Sequence, residues 1–442
     1  MALLWAVWRW GNLDMWQFRQ VNARWPREGG PVFASHFATW DAAHYLYLSE
    51  VGYHPNVPSC AFYPLWPLLV RWSSPVFAGS HVIAGLVLSN LLSLAAWLVF
   101  YRLVARRWGK PAADWALVFL VAFPGSLFFQ FNYTESLFLL LVLVLWWGLE
   151  ERRYGWAWLA AGLLPLARGI GVFAGLPIAW HALEPAWPWL RSWWRERGSA
   201  AWHSAASRMA HPRRSRLPIG ATPGPERRLA AGLEPGQRGE ADWKSALLGL
   251  PLREMARRAW LLAAPLLGWG IYLALMGYWT GNPFEGFQAQ KYWGVHSISN
   301  LWNVPKFVVG LFTPTEWHEF RGSVLDRCAF ILLLDCLPWL RRLDKGLLVW
   351  TYMLGILPAM SGTFTSFTRF ASCAFPLFIA LGVFLSAECG VRSAASAPAA
   401  RCATRDARPS PCRVSLRWLL LAVFVTLHVV LVWRFVNFRW AG

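Results

Sequence analysis

The sequence predicts an all-α fold, a polytopic transmembrane helical bundle, on three observations. Of 442 residues, 56% are hydrophobic and only 15% charged, with 33 Trp and 28 Phe, a membrane rather than a water-soluble composition. Apolar stretches approaching the roughly 20 residues that cross a hydrocarbon core recur from residue 81 to residue 433. The basic residues, which give a formal net charge of +19, are gathered between those stretches.

Residues 1–12 hold an apolar run too short to span, with Arg9 inside it and no small-residue cleavage site behind it. That pattern is poor for a signal peptide. It reads as the truncated end of a first transmembrane helix whose start lies upstream. Spans are predicted near 81–103, 113–130, 136–148, 154–183, 259–280, 325–340, 347–360, 371–387 and 416–434. Lys and Arg crowd 102–110, 152–153, 191–258, 341–345 and 392–417, whereas 14–71 and 282–321 are close to neutral. By the positive-inside bias the basic loops face the cytoplasm, and the long loop of about 11–80 faces outward. Charge confined to connections argues against a nucleic-acid partner.

The 154–183 stretch breaks the crossing count, because both its ends adjoin basic segments. Pro165, Arg168, Gly169 and Gly171 interrupt it, which predicts two short helices meeting near the outer face, with Arg168 on the side of Asp41. Broken helices at membrane depth are tolerated where they are buried or line a cavity. Three parts follow: an N-terminal membrane part over 1–183, a basic flexible cytoplasmic linker over 184–258, and a C-terminal membrane part over 259–442 with a basic loop at about 389–415. The linker carries Pro218, Pro223, Pro225 and Pro235 and no sustained apolar period. A short pattern over 301–312 suits an amphipathic helix at the outer interface. The seven cysteines show no CxxC pair and no zinc spacing, so neither a disulfide framework nor a structural metal is expected.

With this topology, polar residues from distant segments converge on the outer face: Trp40, Asp41, His44 and Tyr45; Tyr133, Thr134 and Glu135; Arg168; Gln288; and 363–369, ending in Arg369. A carboxylate at the edge of a bilayer is costly unless paired, wet or used. Asp41 is the candidate general base, taking a proton from a hydroxyl nucleophile, and Arg168 and Arg369 are candidates to bind a phosphate leaving group. Aromatic residues beside them suit a sugar ring. Plainer readings stand beside these. Asp41 suits an N-cap of a helix starting at Ala42, Glu135 suits the first turn of a helix, Arg168 and Arg369 suit snorkelling to headgroups, and His44 suits simple packing. Trp40, Tyr63 and Phe62 are expected to shape the loop, and the Gln288 to Trp293 region to serve as an acceptor or lid segment. A divalent metal held by Asp41, His36, His44 and His54 is conceivable, although the spacing matches no standard motif.

The runs Trp40-Asp41-(x)2-His44-Tyr45-(x)6-Gly52-Tyr53 and Ala61-Phe62-Tyr63-Pro64-Leu65-(x)-Pro67 resemble the signature of the PIG-V mannosyltransferase family. Tyr133-Thr134-Glu135-Ser136-Leu137-Phe138, Ala167-Arg168-Gly169, Asn282-Pro283-(x)4-Gln288 and Arg369-Phe370-(x)4-Phe375-Pro376 follow in the order that family shows. The resemblance implies a GT-C glycosyltransferase architecture, whose outward-facing first loop carries the acidic base at the position of Asp41. It further implies a polyprenyl-phosphate-linked mannose or related hexose as donor, with inversion at the anomeric carbon. The expected acceptor is a lipid, glycan or protein. The short first helix and the basic linker depart from the family pattern. Arg, Ala and Trp content points to a GC-rich bacterial genome, so the expected location is a bacterial cytoplasmic membrane, with the site facing outward by the charge bias of the loops. The alternative from another class is a multi-pass transporter or flippase for lipid-linked sugars, which predicts internal repeats and polar groups near the midplane; no clear repeat is present.

Overall fold

A computed structural model describes residues 2–11, 16, 18–19, 25–26, 32–187, 252–294, 298–386 and 411–442. Most of the predicted basic linker and much of the predicted 389–415 loop lie outside the described residues. The chain divides into two compact units, Met1–Pro177 with Leu261–Gly442, and Ile178–Trp260. Every described secondary-structure element is helical.

The helices in chain order are α1 (Ala2–Trp10), α2 (Asp41–Glu50), α3 (Leu65–Ser73), α4 (His81–Trp108), α5 (Lys110–Ala122), α6 (Glu135–Glu150), α7 (Tyr154–Ala167), α8 (Gly175–Leu183), α9 (Leu252–Ala259), α10 (Ala263–Thr280), α11 (Glu285–Ala289), α12 (Val304–Phe312), α13 (Val324–Leu343), α14 (Lys345–Thr351), α15 (Leu357–Gly362), α16 (Phe367–Ala371), α17 (Phe375–Leu385) and α18 (Pro411–Val436). Among the described residues, His81–Trp108, Leu252–Thr280 and Val414–Val436 are long and apolar enough to cross a bilayer, and the chain is an integral membrane protein. The other predicted spans fall on helices that are shorter than these, interrupted or charged. Helix α7 stops where Arg168 turns extended (φ −155°, ψ 146°) before a 3-10 turn over Gly169–Ala174. Helix α13 has 20 residues but carries Asp326, Arg327, Asp335, Arg341 and Arg342. A π-turn at Tyr352–Ile356 separates α14 from α15.

The central element of the larger unit is α6, buried on almost every face from Glu135 to Leu149. A helix apolar all round belongs inside a bundle. It packs against α4 and α7, and α7 packs in turn against α10. The last crossing is close: a Cβ added at Gly268 would lie 1.9 Å from the carbonyl oxygen of Gly162, so the pair of small residues lets the two backbones meet, as in packed membrane helices. In the smaller unit, the Arg258 guanidinium bonds Glu254 at 2.9 Å, the carbonyl of His181 at 3.0 Å and Glu184 at 3.3 Å. Helix α12 falls within the expected amphipathic segment and exposes Val304, Val308, Val309 and Phe312. On its other side Phe307 stacks on Phe364 at 4.6 Å.

Candidate active site

Helix α2 begins at Asp41, and the residue that caps it is Trp40, with φ 57° and ψ −126° and no side-chain capping bond. The expected N-cap role of Asp41 is therefore corrected: its carboxylate lies in the first turn, where the helix dipole favours negative charge, and points its bonding elsewhere. A positive φ at a non-glycine residue costs of order 1–3 kcal/mol and persists where the surroundings over-determine it. Here they do. The Trp40 indole packs edge-on against Trp440 at 4.9 Å and donates to the carbonyl of Arg439 at 3.3 Å, while the carbonyl of Thr39 accepts the hydroxyl of Tyr133 at 3.1 Å.

Four charged side chains predicted from separate parts of the sequence meet at this point. Arg369, on the five-residue helix α16, donates from Nη1 to Asp41 Oδ2 and from Nε to Glu135 Oε1. Arg168, at the break after α7, donates from Nη1 to the same Glu135 oxygen at 3.0 Å. Glu135 opens α6 and its side chain is 0% exposed; Arg369 is 7% exposed, Arg168 12% and Asp41 23%. The chain of bonds runs Arg168, Glu135, Arg369, Asp41, with the most buried member, Glu135, between the two arginines and the most accessible, Asp41, at one end. Two cations and two carboxylates leave the group formally neutral, and such pairing is what permits burial of charge.

Aromatic faces complete the setting. The Arg369 guanidinium lies 4.6 Å from the Tyr133 ring centroid and 5.3 Å from that of Phe128; Arg168 lies 4.7 Å from Phe370. These are cation–π distances. Burial works against the Arg369 charge, but the carboxylates of Glu135 and Asp41 outweigh it and hold the group well above its ordinary value. Tyr45, on the next turn of α2 from Asp41, has its phenol pushed up to about 12 by burial, with the Arg369 cation pulling the other way. Its hydroxyl bonds Thr134 Oγ1 at 3.3 Å.

The remaining predicted residues divide between two neighbouring places. His44 bonds Ser59 Oγ at 2.8 Å, stacks on Phe62 at 5.0 Å and meets the edge of Trp293 at 5.0 Å, giving an aromatic group on α2 beside Asp41. Gln288 makes its contacts elsewhere, whereas Tyr63 sets its hydroxyl against Gly169, next to Arg168, where an added Cβ would lie 2.3 Å from it. Tyr63 stacks on Tyr272 at 4.8 Å. Gln288 accepts from Asn282 at 3.0 Å in a polar cluster where Glu285 accepts the backbone N–H of Asn56 at 2.7 Å. His36 bonds the carbonyl of Val436 at 2.5 Å and stacks on Phe438. Among the described residues, no group of three or more His, Cys, Asp and Glu is arranged to hold a metal, so the conceived set of Asp41, His36, His44 and His54 is not assembled. Phe128 and Asp326, which sequence reasoning did not single out, also belong to the surroundings of Arg369.

The arrangement can hold one carboxylate oxygen of Asp41 in place while the side chain stays accessible, next to the cationic donors of Arg369 and near the His44, Phe62 and Trp293 rings. A family model described as Mannosyltransferase (PIG-V) covers residues 31–179. Over that stretch the chain matches PIG-V. The match includes Asp41, His44, Tyr45, Tyr133, Glu135 and Arg168 and ends before Gln288 and Arg369. No curated protein matches the chain. Among solved structures, the archaeal oligosaccharyltransferase AglB from Archaeoglobus fulgidus, in complex with an inhibitory peptide and a dolichol-phosphate, is similar at 15% identity and a TM-score of 0.39. The comparison covers 99% of this chain and 55% of that one. The PIG-V match, set among apolar membrane helices, supports a membrane glycosyltransferase.

Proposed function

We propose that this chain is an inverting hexosyltransferase of GT-C architecture. In this reading it transfers mannose or a related hexose from a polyprenyl-phosphate donor to a lipid, glycan or protein acceptor at the outer face of a bacterial cytoplasmic membrane. The observation that carries the reading is the state of Asp41: it is the most exposed of four linked charges, and its ion pair with Arg369 engages Oδ2. Anchoring one oxygen orients the other for a hydroxyl. In the reaction the acceptor oxygen forms a bond to the anomeric carbon as the bond from that carbon to the phosphate oxygen breaks. The acceptor proton passes to Asp41, and the electron pair leaves with the polyprenyl phosphate. Arg168 and Arg369 are the candidates to steady the phosphate: their recorded bonds to carboxylates use Nε and Nη1 but not Nη2, and a guanidinium carries five N–H donors. The aromatic group of His44, Phe62 and Trp293 suits the face of a sugar ring.

The test is transfer of radiolabelled mannose from polyprenyl-phosphate-mannose to endogenous acceptors, in membranes carrying the wild-type chain or Asp41→Asn. Label incorporated by the wild type alone supports both donor class and base. Equal incorporation by the two removes Asp41 from the role. No incorporation by either, with both chains inserted and folded, rejects this donor.

A further inference from the structure

Arg369 stands at the centre of the charged group, yet the segment that delivers it is unfavourable on its own terms. Thr363, Phe364 and Ser366 all have positive φ, at 48°, 69° and 58°, a conformation that non-glycine residues seldom adopt. Helix α16 is only five residues long, starts from Ser366 and receives no capping bond from that residue's side chain. Short helices with unsatisfied first-turn N–H groups do not persist unaided.

The missing cap comes from another helix. Asp326, in the first turn of α13 and 0% exposed, accepts the backbone N–H of Thr368 on Oδ1 at 2.6 Å. A side-chain oxygen on a first-turn backbone N–H satisfies a donor that the short helix leaves open. The main chain around Asp326 is itself fixed. Ser323 Oγ caps its N–H at 3.1 Å, His318 bonds that hydroxyl at 3.0 Å, and Arg327 holds the carbonyls of Ser323 at 2.6 Å and Gly310 at 2.8 Å. On the opposite side Gly125 receives the same backbone: a Cβ there would stand 2.0 Å from the Thr368 carbonyl oxygen and 3.1 Å from Arg369 Cα.

We propose that Asp326 is a positioning residue for sugar transfer, which caps α16 from outside and thereby sets the Arg369 guanidinium between Glu135 and Asp41. This rests on the transferase reading above. Asp326 has no recorded bond to Arg369 and acts on it through the main chain of Thr368. Its conservative replacement keeps the acceptor, since the amide oxygen of Asn takes the same N–H, whereas Ala leaves that buried N–H unsatisfied.

The experiment uses the full chain in membranes or detergent, with Asp326→Ala and Asp326→Asn, each alone and combined with Arg369→Ala. Asp326→Ala is expected to lower kcat about 30-fold or more with the acceptor KM little changed, and Asp326→Asn to stay within about 5-fold of wild type. In the Arg369→Ala background, removing Asp326 is expected to cost less than about 2-fold further, because the residue acts through Arg369. Amide exchange over 363–371 should rise in Asp326→Ala alone. Full additivity of the two losses overturns the positioning role, as does an unchanged kcat in a folded Asp326→Ala. A wild-type chain that transfers no sugar rejects the transferase reading, and exchange then decides the cap separately: equal protection of 363–371 in wild type and Asp326→Ala overturns it.

Discussion

Arg369 and Asp41, 328 residues apart in the chain, form an ion pair in which the arginine is 7% exposed and the aspartate 23%. The buried partner is tied on its far side to Glu135, and the accessible partner is the one proposed as base. That asymmetry separates what each carboxylate does.

Asp41→Asn keeps an oxygen for Arg369 and leaves a partly exposed position, so the folded protein is expected to survive with little change. Transfer is expected to fall by about 10²–10⁴-fold, the usual contribution of a positioned acid or base. Initial-rate transfer assays beside a thermal unfolding curve in detergent check both halves. Large unfolding with unaltered turnover per folded molecule would reverse the assignment.

Glu135→Ala is expected to do the opposite. Its carboxylate is fully buried and receives both Arg168 and Arg369, so its loss takes the counter-charge from Arg168 and leaves Arg369 with Asp41 alone. Breaking a buried pair in this way costs about 3–5 kcal/mol. A lowered Tm and poor yield of inserted protein are the readout, and a Tm equal to that of wild type contradicts the network described here.

Much of this site was legible in the sequence, and for physical reasons. Charged residues stranded among aromatics near span ends marked Asp41, Glu135, Arg168 and Arg369, and Pro165 with Gly169 marked the break that delivers Arg168. Apolar composition alone gave the helical class. The pairing was not legible, because which arginine meets which carboxylate is decided by how α2, α6 and α16 pack, not by local pattern. Asp326 was hidden for another reason: an aspartate in a helix's first turn looks like an ordinary dipole partner, and its bond to Thr368 spans 42 residues. Gln288 sits in a motif beside the site yet spends its contact on Asn282, and Tyr63 stacks on Tyr272 while its hydroxyl packs against Gly169 beside Arg168.

Arg369→Lys tests geometry at constant charge. A guanidinium reaches two carboxylates at once from Nε and Nη1, whereas an ammonium is a compact point charge with no fork. The variant is expected to keep its fold better than Arg369→Ala and to lose about 10–100-fold in kcat, the scale of a small misplacement of a catalytic group. Wild-type kcat in Arg369→Lys would show that charge alone suffices.

Tyr45 gives a pH signature. The phenol rises from 10.0 to about 12 on burial, so the folded state keeps its proton while the unfolded chain loses it. Above the unfolded value the unfolded state binds fewer protons, and stability must fall as pH climbs from 10 to about 12. The full loss is about 2–3 kcal/mol at 1.36 kcal/mol per unit. Unfolding curves of wild type and Tyr45→Phe, compared between those pH values, are expected to diverge by that amount, with Tyr45→Phe the flatter; parallel curves contradict it.

Gly125→Ala offers a test of the same charged group from the side opposite Asp326. The added methyl would stand 2.0 Å from the Thr368 carbonyl oxygen, a backbone atom that cannot swing aside as a side chain does, so the segment carrying Arg369 must shift or the helices must part. Overpacking of this kind costs about 1–3 kcal/mol, and here the shift falls on the residue that holds Asp41. The expected result is a fall in kcat larger than the loss of Tm accounts for, and a smaller further effect of Asp326→Ala in this background than in wild type. Fully additive losses would mean that the two sides of α16 support the fold separately and that Arg369 is not the point where they join.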